Sequence, residues 1–309
     1  MIIDAHTHLW DIITGDIGQP VRSIGNGLIT IGQQKLLGMP AFLLDGRAPV
    51  ETFISLMNST GVDAAVVTQE YLDGNQNEYL AEVSKKYPER FFIHGLLEFR
   101  NPDALSEEFH HMRETFGFNG IKVPAKYLAE TDPRIYLTDS RLTAVFEKMK
   151  RNGMILSIDL ASGDTQVEEM REISHAFHGL TIVIGHFAMT NRLGWMKQLS
   201  LAEEPNIYIE SGGITWLFRN EGPPFPGAQE AFRTAVDLVG ADKLMWGSDF
   251  PRTLVDFTYE QTLDFLRNGC DFLDAGQKST ILGGTARKVY GFSEPVNPQQ
   301  RITKITELD

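Results

Sequence analysis

The chain of 309 residues carries a formal net charge of −13, from 28 Lys and Arg against 41 Asp and Glu. That balance argues against nucleic acid and anionic membrane surfaces as partners, because both need clustered Lys and Arg facing phosphates. A small anionic substrate stays admissible, since a few local cations invert the field inside a pocket.

Hydrophobic residues at 42% fit a chain with a full core, and no run approaches the ~18 apolar residues of a membrane helix. The one cysteine, Cys270, excludes an internal disulfide framework. The opening MIIDAHTHLW lacks the basic region and apolar run of a secretory signal. A reducing cytoplasmic compartment is therefore expected.

In chain order, short apolar runs fall at 2–6, 62–69, 91–97, 119–123, 154–160, 181–186, 206–210 and 243–249. Buried parallel strands read as such near-continuous runs rather than as alternation. Helical patterns lie between them. NEYLAEVSKKY at 77–87 puts Leu80, Val83 and Tyr87 on one stripe, and 140–153 carries Leu142, Val145, Phe146 and Met149 before Gly153. The segments 164–177 and 228–240 repeat the design. Eight strands alternating with helices predict an α/β fold, a single (β/α)8 TIM barrel over 1–293. An open doubly wound sheet alternates in the same way, but the strand count and the lack of GxGxxG after the first strand favour the barrel.

Two stretches break the rhythm. Residues 11–49 form a long insertion after the first predicted strand, where a handful of residues is usual. It is rich in glycine, yet contains LLGMPAFLL, and reads as a lid, a homo-oligomer contact or a plain surface excursion. The C-terminal tail 294–309 carries Pro295 and Pro298 and is expected to wrap the surface or fray.

Residues i and i+2 of a strand face the same way. His6 and His8 at the end of the first predicted strand therefore both point into the barrel mouth, where barrel enzymes place their chemistry. Two close imidazoles suit one divalent ion. Alone, HxH is a weak signal. His186 ends the sixth predicted strand and Asp249 the eighth, which makes chance a poor explanation for the set.

DAHTHLW, IGH and WGSDFP, with VVTQ, GIKV and TARKVYGF between and after them, resemble the amidohydrolase superfamily over nearly the whole chain. The likeness is to the amidohydrolase-related branch of sugar-acid lactonases, pyrone-dicarboxylate lactonase and aminocarboxymuconate-semialdehyde decarboxylase. It implies that His6 and His8 are metal ligands or, in metal-free members, carbonyl-polarising groups. It also implies that His186 contacts metal or substrate and that Asp249 is the general base. Decarboxylase-type members end the fifth strand with histidine, whereas this chain has Asp159 there, which looks like the lactonase branch. The fourth strand ends on Lys122 rather than a bridging ligand of two-metal members. One divalent ion is therefore expected, zinc first and manganese next, with a metal-free site as the alternative.

Around that set, Gln69 or Glu70 should face the mouth, but not both. Glu70 and Asp159 are further ligand candidates. Lys122, Arg192 and Arg252 are candidates for binding a substrate anion. Glu210 would pair with one of the cations, and Trp216 would wall the pocket. The expected substrate is a small anionic or polyhydroxylated acid lactone. The leading expectation is a hydrolase opening a sugar-acid or related carboxylated lactone. Its rivals are a metal-dependent non-oxidative decarboxylase of an aromatic or muconate acid, and a non-catalytic sugar-acid-binding barrel.

Overall fold

A computed structural model describes residues 1–293; the tail at 294–309 lies outside the described residues. Strand β1 (Ile3–Thr7) leads into a small antiparallel sheet of β2 (Val21–Gly25), β3 (Leu28–Ile31) and β4 (Gln34–Leu37). The rest of the main sheet follows as β5 (Ala64–Val67), β6 (Phe91–Leu96), β7 (Gly120–Val123), β8 (Ile155–Ile158), β9 (Thr181–Ile184), β10 (Ile207–Glu210) and β11 (Leu244–Met245).

The order of the main sheet is β1-β5-β6-β7-β8-β9-β10-β11, and every pairing in it is parallel. It closes on itself: Ala5 N donates to Trp246 O at 2.8 Å and Asp249 N to His6 O at 2.9 Å. The protein is a (β/α)8 barrel, and each expected apolar run holds one of its strands.

The helices sit where the 3.6-residue pattern places them, at Asn77–Lys86, Ser140–Arg151, Val167–Ala176 and Pro226–Val239. Ser140–Arg151 starts because the Asp139 carboxylate accepts from Arg141 N at 2.9 Å, satisfying one of the free amides of the first turn. It buries Leu142, Val145, Phe146 and Met149 against the barrel wall. Each such side chain contributes about 1.5–3 kcal/mol by leaving water.

Strand parity then sorts the two sides of the barrel. Ala65 and Val67 join the outer core under the helices, while Ile3, Ala5, Ala64, Val66, Val183 and Met245 form an inner cluster with Tyr290. The insertion at 11–49 holds the sheet β2-β3-β4, an element the sequence reading did not assign. It is tied to the loop after β5, where Thr14 N donates to Asp73 O and Asp16 N to Tyr71 O. Its Leu36, Leu37, Phe42 and Leu44 are exposed. No helix among the described residues is long and apolar enough to cross a membrane. Cys270 is buried.

Candidate active site

The C-terminal ends of the strands bring His6, His8, His186 and Asp249 together. The Nε2 atoms of His6 and His8 lie 3.0 Å apart, and Asp249 Oδ1 is 3.2 Å from His8 Nε2 and 3.6 Å from His6 Nε2. Each ring is fixed from behind. His6 Nδ1 meets Glu210 Oε1 at 2.7 Å, and His8 Nδ1 meets Asp73 Oδ2 at 2.9 Å. A carboxylate facing Nδ1 selects the tautomer with its proton there, which leaves Nε2 as a lone pair.

Two lone pairs and an anionic oxygen then confront one another in a buried space. Beyond the two imidazoles, Asp249 Oδ1 has no hydrogen-bond partner among the described residues. Such an arrangement requires a cation between these atoms, either a proton or a metal ion. The donor set of two imidazoles and one carboxylate fits a divalent ion. Burial alone would push His8 down, but Asp73 and Asp249 outweigh it and raise its pKa to about 9. Burial would lift Asp249, but the His8 hydrogen bond and the neighbouring imidazoles keep it well below the usual carboxylate range.

The chain pays in backbone strain to aim these groups. Asp249 has φ 59°, and His186, Phe187, Ala188 and Met189 form a left-handed turn with φ from 49° to 54°. Left-handed backbone costs a non-glycine residue about 1–2 kcal/mol. Phe187 offsets part of that cost: it is fully buried and stacks on Phe232 with ring centroids 4.5 Å apart. The turn is further held by His186 N donating to Glu210 Oε1 at 2.9 Å. His186 Nδ1 donates to Gly212 O at 3.0 Å, and burial pushes its pKa down despite Asp159 at 3.6 Å. His6 fits only because glycines surround it. A Cβ at Gly212 would lie 2.6 Å from His6 Cγ, and one at Gly247 2.8 Å from His6 Cβ.

Glu70 faces the mouth and Gln69 does not, so the expected role of Gln69 in substrate binding is withdrawn. Ala64, Val66 and Glu70 share a parity, which puts Gln69 on the outer side. There it bonds Asn77 Oδ1, His94 O and Gln76 N. Glu70, Asp159 and His186 form a second group whose ligand-capable atoms lie within 4.8 Å of one another. Lys122 is fully buried and donates to Asp159 at 2.6 Å, and Lys126 reaches Glu70 at 3.1 Å.

Other expectations shift. Glu210 pairs with His6 rather than with a cation, because it projects beside the histidine and not toward either arginine. Arg252 lies at the mouth but is bonded to Asp73, and its guanidinium sits 5.6 Å from the Trp10 ring. Arg192 is exposed on the rim, bonded to Ser162. Trp216 is part of the site itself, its Nε1 donating to Asp249 Oδ2 at 2.7 Å.

Asp73 and Lys126 were missed. Asp73 sits in a turn, YLDGN, whose DG pair signals only a loop, and Lys126 sits beyond β7, where no periodicity marks a direction. Beside the mouth, an open cleft of about 750 Å³ between 11–16, 71–82 and 96–116 is lined by Glu78, Glu82, Glu98 and Glu108 and contains none of the histidines just described.

Comparison with known proteins follows the same lines. The chain is 24% identical to an L-fucono-1,5-lactonase of Burkholderia ambifaria, over 96% of this chain and 98% of that protein. It superposes on the crystal structure of a probable 2-pyrone-4,6-dicarboxylic acid hydrolase of Acinetobacter baumannii with citric acid bound. That match has a TM-score of 0.70 at 18% identity, over 94% of this chain and 99% of the other. An amidohydrolase of Burkholderia multivorans with bound zinc aligns with a TM-score of 0.68 at 19% identity, over 95% of this chain and 100% of the other. The amidohydrolase family profile matches residues 3–292, from the first barrel strand to the last described helix, and the chain belongs to that family.

Proposed function

We propose that the protein is a hydrolase that opens a lactone by attack of water, with Asp249 as the general base. The observation that carries this reading is the buried Oδ1 of Asp249, which meets the Nε2 atoms of His6 and His8 and no other group among the described residues. An ionised carboxylate there accepts a proton from water, and His8, whose pKa is raised to about 9, presents an imidazolium to a carbonyl oxygen when no metal ion occupies the site.

A divalent ion held by His6 Nε2, His8 Nε2 and Asp249 Oδ1, zinc first and manganese next, would add Lewis-acid polarisation of the carbonyl. In the chain's own chemistry, Trp216 anchors Asp249 through Oδ2 and leaves Oδ1 for the proton. The water oxygen bonds to the carbonyl carbon, and its proton passes to Asp249. His186 lies beside the developing oxyanion. The ring C–O bond then breaks, and Asp249 returns its proton to the leaving alkoxide. The product is a hydroxy acid, with atoms and charge balanced.

The names of the relatives, an L-fucono-1,5-lactonase and a 2-pyrone-4,6-dicarboxylic acid hydrolase, support this class. Asp159 at the end of β8, where decarboxylase-type members carry histidine, weighs against the decarboxylase reading. The test is Asp249→Asn. Turnover of a sugar-lactone panel should fall by roughly 10²–10⁴ with the fold intact. Unchanged turnover would remove Asp249 from the base's role, and release of CO₂ from aromatic acids by the wild type would favour the decarboxylase. Ligand binding in a wild-type protein with no turnover of any lactone would favour the non-catalytic barrel.

A further inference from the structure

We propose that the open face of the sheet β2-β3-β4 and the loop after it form a docking surface for a second copy of this chain. The two copies pack face to face about a two-fold axis, with Asp45 of each meeting Lys35 of the other. The proposal does not depend on the hydrolase reading.

The sheet has one covered side and one open side. Residues paired across antiparallel strands share a face, and neighbours along a strand alternate. Val21, Ser23 and Ile29 therefore lie on one face, where Val21 and Ile29 are buried. Ile24, Leu28 and Leu37 lie on the other, with Leu28 opposite Leu37, and there Ile24 and Leu37 are exposed. The loop after β4 extends the apolar surface. Asn26 N donates to Leu44 O at 2.8 Å, which sets Leu44 beside the turn from β2 to β3, and Phe42 stands in the same loop. The segment is anchored to its own chain on both flanks: Thr14 N donates to Asp73 O at 3.2 Å and Trp10 Nε1 to Gly46 O at 2.9 Å.

The patch is large enough to matter. Ile24, Leu36, Leu37, Phe42 and Leu44 are 42% to 67% exposed. At roughly 100 Å² each they present about 500 Å² per copy, and about 1,000 Å² when two copies meet, which reaches the lower bound of a specific interface. A contiguous apolar patch of several hundred Å² marks an interaction surface.

Charge selects a second copy as the occupant. Within 11–49, Asp11, Asp16 and Asp45 balance Arg22, Lys35 and Arg47, so the net charge of −13 lies on the rest of the chain. Two like-charged barrels repel, and this neutral segment is where they meet with least repulsion. A basic partner would be drawn to the acidic remainder instead. The rim of the patch is also self-complementary. Lys35 stands beside the apolar pair on β4, whereas Asp45 follows Leu44 on the flank of β2, where Gly46 adjoins Ser23. Neither makes an ion pair within its own chain among the described residues. A two-fold axis brings each flank against the other, so the contact is the same in both directions and closes at two chains.

Sedimentation velocity on the full chain tests this. At about 100 µM, above the micromolar Kd of the weaker interfaces of this size class, the mass should be that of two chains. Leu37→Glu with Phe42→Glu should raise the dimer Kd at least about 100-fold, because both side chains leave the apolar centre of the contact. Leu44→Glu replaces that variant if circular dichroism shows it unfolded. Lys35→Asp alone should raise Kd about 3- to 10-fold, and adding Asp45→Lys should restore it, since the pair is then only reversed in sign. A monomer at every concentration overturns the proposal. So does a larger assembly, a dimer indifferent to the apolar substitutions, or a charge reversal that Asp45→Lys fails to rescue.

Discussion

At Asp249 the two carboxylate oxygens have separate tasks: Oδ2 is tied to Trp216 and Oδ1 faces the imidazoles. The same division of labour runs outward, since Glu210 and Asp73 orient the rings that meet Oδ1. On the proposed reading, in which His8 holds a divalent ion, Asp73→Asn should weaken zinc binding about 10- to 100-fold without moving the fold, as loss of a carboxylate behind a ligating histidine does. Competition with a chromophoric chelator measures it, and unchanged affinity would leave Asp73 with a packing role alone. His6, His8, His186 and Asp249 were legible in the sequence because each stands at the end of an apolar run. Asp73 and Lys126 were not, because loop residues carry no period that gives a direction. Glu210 was noticed, but its partner depends on which neighbouring strand end it touches, which sequence does not state.

Among the elements, the strands and the four helical patterns could be located to within about four residues at each end, because buried runs and 3.6-residue stripes are strong signals. The sheet β2-β3-β4 could have been read too. Asn26 and Gly27 join β2 to β3 with φ 53° and 75°, and Asn-Gly between apolar stretches is the strongest short hairpin signal. It was overlooked because the surrounding glycines read as loop. The turn after β10 offers a sharper test. Gly212→Ala would drive a methyl group into His6 and Glu210, whose Oε2 would lie 2.7 Å away. The expected cost is about 1–3 kcal/mol of stability. A roughly hundredfold loss in kcat/KM should accompany it, because displacing a catalytic group by an ångström is enough. Denaturant unfolding and lactone kinetics on the same preparation check both numbers, and a variant with normal kinetics would show that His6 has room to spare.

For the molecule as a whole, one buried histidine sets part of the acid limit. His94 is fully buried against Phe92 and Tyr290, and burial pushes its pKa from 6.5 down to about 3. Between those values the unfolded chain binds a proton that the folded chain refuses. The contribution is complete above about pH 6.5 and is lost as pH falls toward 3, with a slope of at most about 1.4 kcal/mol per pH unit. His94→Leu should flatten that limb in urea unfolding between pH 4 and 7, and an unaltered slope would assign the acid sensitivity to other groups.

Closure of the barrel also has a consequence for biosynthesis. His6 and His8 are made about 240 residues before Asp249. At ordinary elongation rates that interval is roughly ten seconds to a minute. Throughout it, the histidines lack the carboxylate that completes the mouth, and β1 lacks the neighbour to which Ala5 bonds. The nascent chain therefore offers only part of the donor set, and a metal ion can be locked in place only once the last strand has docked against the first.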